Sequence, residues 1–161
     1  MIKTLKKLAD ALSPDKAKAP SFEPQALAVA ALMLEAAAMD GQVDQQETDA
    51  MQPLLMKAFG LNATEAADLV EMAREAHRTS NQIIHFTRDI KDNVPFEERA
   101  EIMELFWGVV LADGKVHDYE ANLMRRIAGL IHVTDRESGA ARKRAEAKFA
   151  LAQGREVPLE D

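Results

Sequence analysis

The chain contains no cysteine, which removes disulfides, thiolate zinc sites, cysteine-ligated iron–sulfur clusters and a cysteine nucleophile together. Aromatic residues make up only 5%, and seven glycines and six prolines in 161 residues are too few for turn-dense sandwiches and barrels or for low-complexity chains. No run of about 18 apolar residues is present for a membrane span. The amino-terminal MIKTLKKLAD has the positive charge of a secretory leader without its apolar stretch. Basic residues are outnumbered, 20 Lys and Arg to 27 Asp and Glu, and the net charge of −7 repels phosphate backbones and anionic membrane surfaces, so no nucleic-acid partner is expected. These absences describe a soluble, cytoplasmic chain.

What remains is rich in alanine, leucine, methionine and charged residues, side chains that lose little rotamer freedom in a helix. No segment alternates with period two, so the expected fold is all-α, a single compact bundle of about seven helices. Residues 1–24 form a leading segment. Within it, Ile2, Leu5, Leu8, Ala9 and Leu12 share one face of a short helix with Lys3, Lys6 and Lys7 opposite, before a linker, Ser13 to Pro24, with three prolines. This segment docks on the protein's own surface or frays; membrane contact is the lesser alternative, and only residues 2–12 could make it.

The helical domain is expected over 25–152. Its helices run from Gln25 to Met39, from Gln45 to Ala58 with a kink at Pro53, from Thr64 and Glu65 to Arg78, and from a Ser80 or Asn81 cap through Ile83, Ile84, Phe86 and Ile90 to Lys91. A fifth has Pro95 in its first turn and a core stripe of Ile102, Leu105, Phe106, Val109 and Val110; a sixth spans Asp118 to Ile131, and a seventh runs from near Asp135 to Leu151. Residues 153–161 read as a polar tail.

One internal repeat carries most of the functional information. Asp40-Gly41-Gln42-Val43-Asp44-Gln45-Gln46-Glu47 and Asp113-Gly114-Lys115-Val116-His117-Asp118-Tyr119-Glu120 share the form D-G-x-V-x-x-x-E, 73 residues apart, with Leu32 over Leu105 and Met51 over Met124. Two hairpins of one design imply two pseudo-symmetric halves. Local physics covers most of the motif: the glycines suit the left-handed position that ends a helix, the valines act as staples, and Asp44-x-x-Glu47 forms a capping box, with His117 a weaker cap ahead of Glu120. Asp40 and Asp113 are left over. A carboxylate in the last turn of a helix opposes the macrodipole at a cost of roughly 0.3 to 1 kcal/mol. Either these aspartates accept hydrogen bonds from the start of the next helix, or they hold a cation, Asp40 with Glu47 and Asp113 with Glu120, or they recognise a partner.

An EF-hand loop does not fit. Gly41, Val43 and Glu47 match its glycine, aliphatic and terminal glutamate slots, but the first two ligand positions fall on Ala36 and Ala38, and in the second copy on Val109 and Leu111.

The run Leu32-x-x-Glu35-Ala36-Ala37-x-x-Asp40-Gly41-x-Val43-x-x-x-Glu47, then Phe59-Gly60-Leu61, then Phe96-Glu97-Glu98-Arg99 leading to Leu105-Phe106-Trp107-x-Val109-x-x-Ala112-Asp113-Gly114-x-Val116-x-x-x-Glu120, resembles the TerB family of bacterial tellurite-resistance proteins over roughly residues 25–135. The resemblance implies a compact helical domain with two pseudo-symmetric halves, a role in tellurite or other stress responses, and an acidic cluster proposed to bind metal. Carried onto this chain, that set is Glu35, Asp40, Glu47, Asp113 and Glu120, with Gly108 standing where a second copy of Glu35 would be. TerB-like domains also occur beside J-domains and in membrane-associated assemblies, which keeps an adaptor reading open.

The other chemistry-bearing residues read as structural. No two of His77, His85, His117 and His132 have the zinc spacing H-E-x-x-H; His117, beside Asp113 and Glu120, is the one nitrogen near the turns. Met33, Met51, Met56, Met72, Met103 and Met124 fall at helical spacings as core filler. Ser13, Ser21, Ser80 and Ser138 lie in loop or cap contexts without a partner histidine. Between Glu35 and Ser80, nine acids face three bases, whereas 135–150 leans basic.

The expectation is therefore a non-enzymatic module of a tellurite or stress response with no catalytic residues. Asp40, Glu47, Asp113, Glu120, Glu35, Asp44 and His117 are its candidate metal ligands, for calcium, magnesium or zinc. The alternative is a protein–protein adaptor that uses its acidic surface without metal. Neither the protein partner nor the oligomeric state is specified by the sequence.

Overall fold

The computed structural model describes residues 22–38, 45–79, 82–113 and 116–154, without the side chains of 45–47 and 113. The leading helix expected at residues 2–12 and the tail beyond 154 lie outside the described residues. Seven α-helices and two 3-10 turns follow one another, with no strand among the described residues: α1 (Pro24–Ala37), α2 (Gln45–Phe59), α3 (Ala63–Thr79), α4 (Ile83–Asn93), a 3-10 turn (Phe96–Glu98), α5 (Arg99–Val110), a second 3-10 turn (Leu111–Asp113), α6 (Asp118–Leu130) and α7 (Asp135–Ala152). No helix in this part of the chain is long and apolar enough to cross a membrane.

The centre of the bundle is α1. Proline at its start supplies a preset φ where no N–H partner is needed. Ten of its fourteen residues are buried, including the unbroken run from Ala28 to Leu34. A helix that is apolar all round has to be enclosed, and its alanines let neighbouring backbones come close. It packs most extensively on α3 and α4 and also touches α2, α5 and α6. The second main packing is α5 on α7. There the buried Trp107 Nε1–H donates to Ser138 Oγ at 3.2 Å, and the Arg142 guanidinium lies 5.0 Å from the Trp107 ring centroid. Ser138, expected in a loop or cap context, is thus in the first full turn of α7 and closes a tertiary hydrogen bond.

Several helix ends differ from the sequence expectation for local reasons. Pro95 is not inside α5: its ψ of 146° is extended, and Glu98 N–H closes a 3-10 turn on its carbonyl before the α-helix begins at Arg99. The cap of α3 is Asn62 rather than Thr64; Asn62 Oδ1 accepts from Glu65 N–H at 2.8 Å while Glu65 Oε1 accepts from Asn62 N–H at 2.9 Å. Ser80 and Asn81 lie outside the described residues, and Gln82 stands at the N-cap of α4 without a side-chain cap bond. Helix α2 continues through Pro53 and is closed by Gly60 at φ 65°, a left-handed position that costs glycine nothing. At the equivalent place after α6 the residue is His132, with φ 62°. Ile84, grouped with the apolar stripe of α4, is 47% exposed. Met33, Met51, Met103 and Met124 are fully buried, and Met56 packs against the core.

Two ionic side chains bind the shell together. Arg99, at the start of α5, donates through Nη2 to Lys91 O at 3.0 Å, through Nε to Val94 O at 3.2 Å and through Nη1 to Ile131 O at 3.3 Å. One cation thus serves the carbonyl ends of both α4 and α6, where helix dipoles favour positive charge. On α5, Glu104 accepts from Arg144 Nε at 2.7 Å and from Lys148 Nζ, both on α7. Burial raises the Glu104 carboxyl, but the hydrogen bonds and positive charges of Lys148 and Arg144 outweigh it and hold the group below its ordinary 4.5.

Arg99→Ala leaves three carbonyls without a donor and is expected to cost about 2 kcal/mol in urea unfolding, with Arg99→Lys recovering only part because ammonium lacks the fork geometry. Glu104→Gln is expected to cost about 0.5–1 kcal/mol at neutral pH, since its partners are half-exposed and screened. A carboxylate with a depressed folded pKa stabilises above its unfolded pKa and loses that contribution as pH falls through the folded value. Unfolding curves of the two proteins should therefore converge in acid.

Candidate functional site

The described residues around the repeat show what the turns are built from. α1 ends at Ala37, with Ala38 N–H bonded to Leu34 O at 2.9 Å, and α2 begins at Gln45; Asp40, Gly41, Val43 and Asp44 between them lie outside the described residues. In the second copy α5 ends at Val110 and tightens into the 3-10 turn Leu111–Asp113. Asp113 therefore closes a 3-10 turn rather than the last α-helical turn, which changes the dipole argument made for it from sequence. The side chains of Glu47 and Asp113 are outside the description. The 3-10 turn of the second copy packs against α2 and α7, so the helix that begins at the first acidic turn is the one against which the second turn rests.

Glu120 is resolved in detail. It is 3% exposed, and its Oε1 accepts from His117 N–H at 3.0 Å, the reciprocal half of the capping box expected at this position. Asn62 with Glu65 and Thr134 with Glu137 repeat the device at α3 and α7. Glu137 is held below its usual range first by the Thr134 backbone N–H and then by the Thr134 side chain. Oε1 of Glu120 is thus committed to a helix start. His117 stacks on Tyr119 with ring centroids 5.2 Å apart, and Val116 packs against the core as the staple expected of it.

Glu35 sits near the end of α1, with a quarter of its side chain exposed, and accepts a hydrogen bond from His77 Nε2–H across a 2.6 Å contact. Sequence reasoning set His77 aside as ordinary. The only signal available was its place late in α3, and nothing local says that α3 lies beside α1 with this register. The repeat also has a steric asymmetry. A Cβ on Gly108, the counterpart of Glu35, would come within 3.1 Å of Leu54 Cδ1 on α2, so α5 and α2 approach where α1 holds a carboxylate. Among the described residues no group of three or more His, Asp or Glu side chains is placed to hold a metal, and the carboxylates of Asp40, Asp44, Glu47 and Asp113 are outside that description.

The family model described as tellurite resistance protein TerB matches residues 26–143. The chain belongs to the TerB family. The matched stretch takes in both acidic turns of this TerB-family chain, all or most of α1 to α6 and the first half of α7. No curated protein and no solved structure matches the chain.

Removing either member of the Glu35–His77 pair should lower stability by about 1 kcal/mol. A double-mutant cycle with Glu35→Gln and His77→Ala should show a coupling of about 0.5–1 kcal/mol in chemical denaturation. Additive losses would mean that the two side chains do not act on each other.

Proposed function

We propose that this TerB-family chain is a non-enzymatic binding module of a tellurite or stress response, whose two D-G-x-V-x-x-x-E turns hold a divalent cation through oxygen ligands. The reading is carried by the repetition itself: capping chemistry explains the glycine, valine and glutamate of each copy, but not the aspartates at positions 40 and 113. The packing of the 3-10 turn Leu111–Asp113 against α2 supports it, because α2 is the helix that follows the first turn in the sequence. So does Glu35, a carboxylate five residues ahead of Asp40. The pairing of α1 with α3 and of α5 with α7 supports treating the halves as copies of one hairpin design.

Within the set, Asp40, Asp113, Glu47 and Glu35 are the ligands of choice and Asp44 a cap with a ligand's chemistry. Glu120 serves the helix start, and His117 would add the single nitrogen. Carboxylates suit calcium or magnesium better than zinc. The second reading, an adaptor that recruits a basic partner without metal, draws on the acidic segment from Glu35 to Ser80, which has nine acids against three bases.

Calorimetric titration with calcium, magnesium, manganese and zinc separates the two. The cation reading expects saturable heat and, at a hundredfold excess over Kd, a gain in unfolding free energy of about 2.7 kcal/mol, both lost in the Asp40→Asn/Asp113→Asn double variant. Absence of saturable heat with all four ions, together with salt-sensitive and chelator-insensitive capture of a basic partner, would replace it with the adaptor.

A further inference from the structure

A half-open groove of about 1150 Å³ lies between α2, α5 and α7, above the roughly 300–1,000 Å³ typical of small-molecule pockets. α5 packs on both other helices, whereas α2 and α7 share no extensive packing with each other among the described residues. α5 is therefore the floor and α2 and α7 are the walls, an opening of the shape that one more helix of a bundle fills. The walls contribute Leu54 and Phe59 from α2 and Phe149 from α7. Leu54, Phe59 and the floor residue Leu105 pack on the core yet are only half-buried, which leaves large apolar side chains half in water along the groove. A contiguous apolar surface of this kind marks a contact site.

The floor changes character along its length. Glu97, Glu98 and Glu101 line it around the start of α5 and are exposed, whereas Leu105 and Gly108 line it further along the helix. A Cβ on Gly108 would meet Leu54 Cδ1 at 3.1 Å, so Leu54 covers this end of the floor with hydrocarbon. Between the two ends, Glu104 is already engaged by Arg144 and Lys148. The three acids of the other end form no ion pair among the described residues. The dipole of α5 favours an acid in the first turn, but three at close quarters repel one another and leave their charge to be met from outside. From Glu98 to Gly108 the floor runs about 15 Å, or roughly three helical turns.

We infer that the groove is the docking site of an α-helix of a partner protein, about three turns long, whose groove-facing stripe is basic at one end and apolar at the other. Lysine or arginine at the basic end meets Glu97, Glu98 and Glu101, and leucine-sized side chains of the following turns enter between Leu54, Leu105 and Phe149. Apolar contact supplies the burial, and the charge at one end fixes the direction in which the helix lies. The same three carboxylates turn away an acidic helix. The surface is independent of the cation reading, because its acids come from the start of α5 and not from the repeated turns.

The test uses the full chain in the presence of chelator, so that it reads the groove whether or not the turns hold a cation. Two synthetic helical peptides share one leucine stripe and differ only at the first turn of that stripe, lysine in one and glutamate in the other. The lysine peptide should saturably shift the methyl signals of Leu54 and Leu105 and leave Ile84 on α4 in place. It should bind about tenfold or more tightly than the glutamate peptide at low salt, with the gap narrowing as salt rises. Glu98→Lys/Glu101→Lys should reverse that order and Glu98→Gln/Glu101→Gln should erase it. Both change exposed side chains only, and unaltered methyl signals of the buried Ile90 and Ile127 report that the fold is kept.

Equal affinity for the two peptides, or lysine-peptide shifts that spare Leu54 and Leu105, would overturn the proposal. So would movement of those two methyl signals with protein concentration in the absence of peptide, which assigns the groove to a second copy. A lysine-peptide affinity that rises about tenfold when residues 1–21 are deleted would overturn it as well, by showing that the chain's own leading segment competes for the groove.

Discussion

Enclosure of α1 is the constraint on which the remaining structure depends. A fourteen-residue helix with ten buried positions has to be surrounded, and its many alanines decide how closely. With little side-chain volume between backbones, α3 and α4 can lie directly against it, and buried apolar area is gained without large residues. The scarcity of aromatics noted in the sequence is the other face of this arrangement. Where one large aromatic is used, at Trp107, it fixes the second main contact, α5 on α7, through a buried hydrogen bond to Ser138.

Around that centre, the helix starts follow one recipe. Asn62 with Glu65, His117 with Glu120 and Thr134 with Glu137 each place a glutamate at the third helical position to bond the N-cap backbone. This bears on the acidic turns. Glutamate in the repeated motif has a structural use wherever it is described, and at Glu120 that use is buried. The same capping recipe does not account for the aspartates at positions 40 and 113.

The helix ends are served by side chains from elsewhere. Arg99 gathers carbonyls from Lys91, Val94 and Ile131, and Glu104 gathers two cations from α7. Both residues lie on α5, which consequently links α4, α6 and α7 to the core through polar contacts as well as apolar ones. The Phe-Glu-Glu-Arg run that marked the family resemblance contains one residue that holds the bundle together and two glutamates that face solvent along the groove.

The order and type of the helices were legible in the sequence, because helical periodicity, glycine stops and x-x-x-Glu starts act within a few residues of one another. So were the core methionines and the capping role of Glu120. Pro95 was assigned to the helix beside its turn, whereas Thr64, taken as the opening of α3, lies just inside a helix that Asn62 caps. What local pattern could not supply were pairings between distant positions. Glu35 meets His77 across 42 residues, Gly108 is small because Leu54 stands against it, and the groove exists only where α2, α5 and α7 come together. These depend on the register between helices, which is set by the collective packing of α1 and α5 rather than by any short stretch of chain. The sequence by itself determined an acidic, cysteine-free helical chain with a duplicated turn; the tertiary structure alone decided which side chains that turn, and the surface around it, would face.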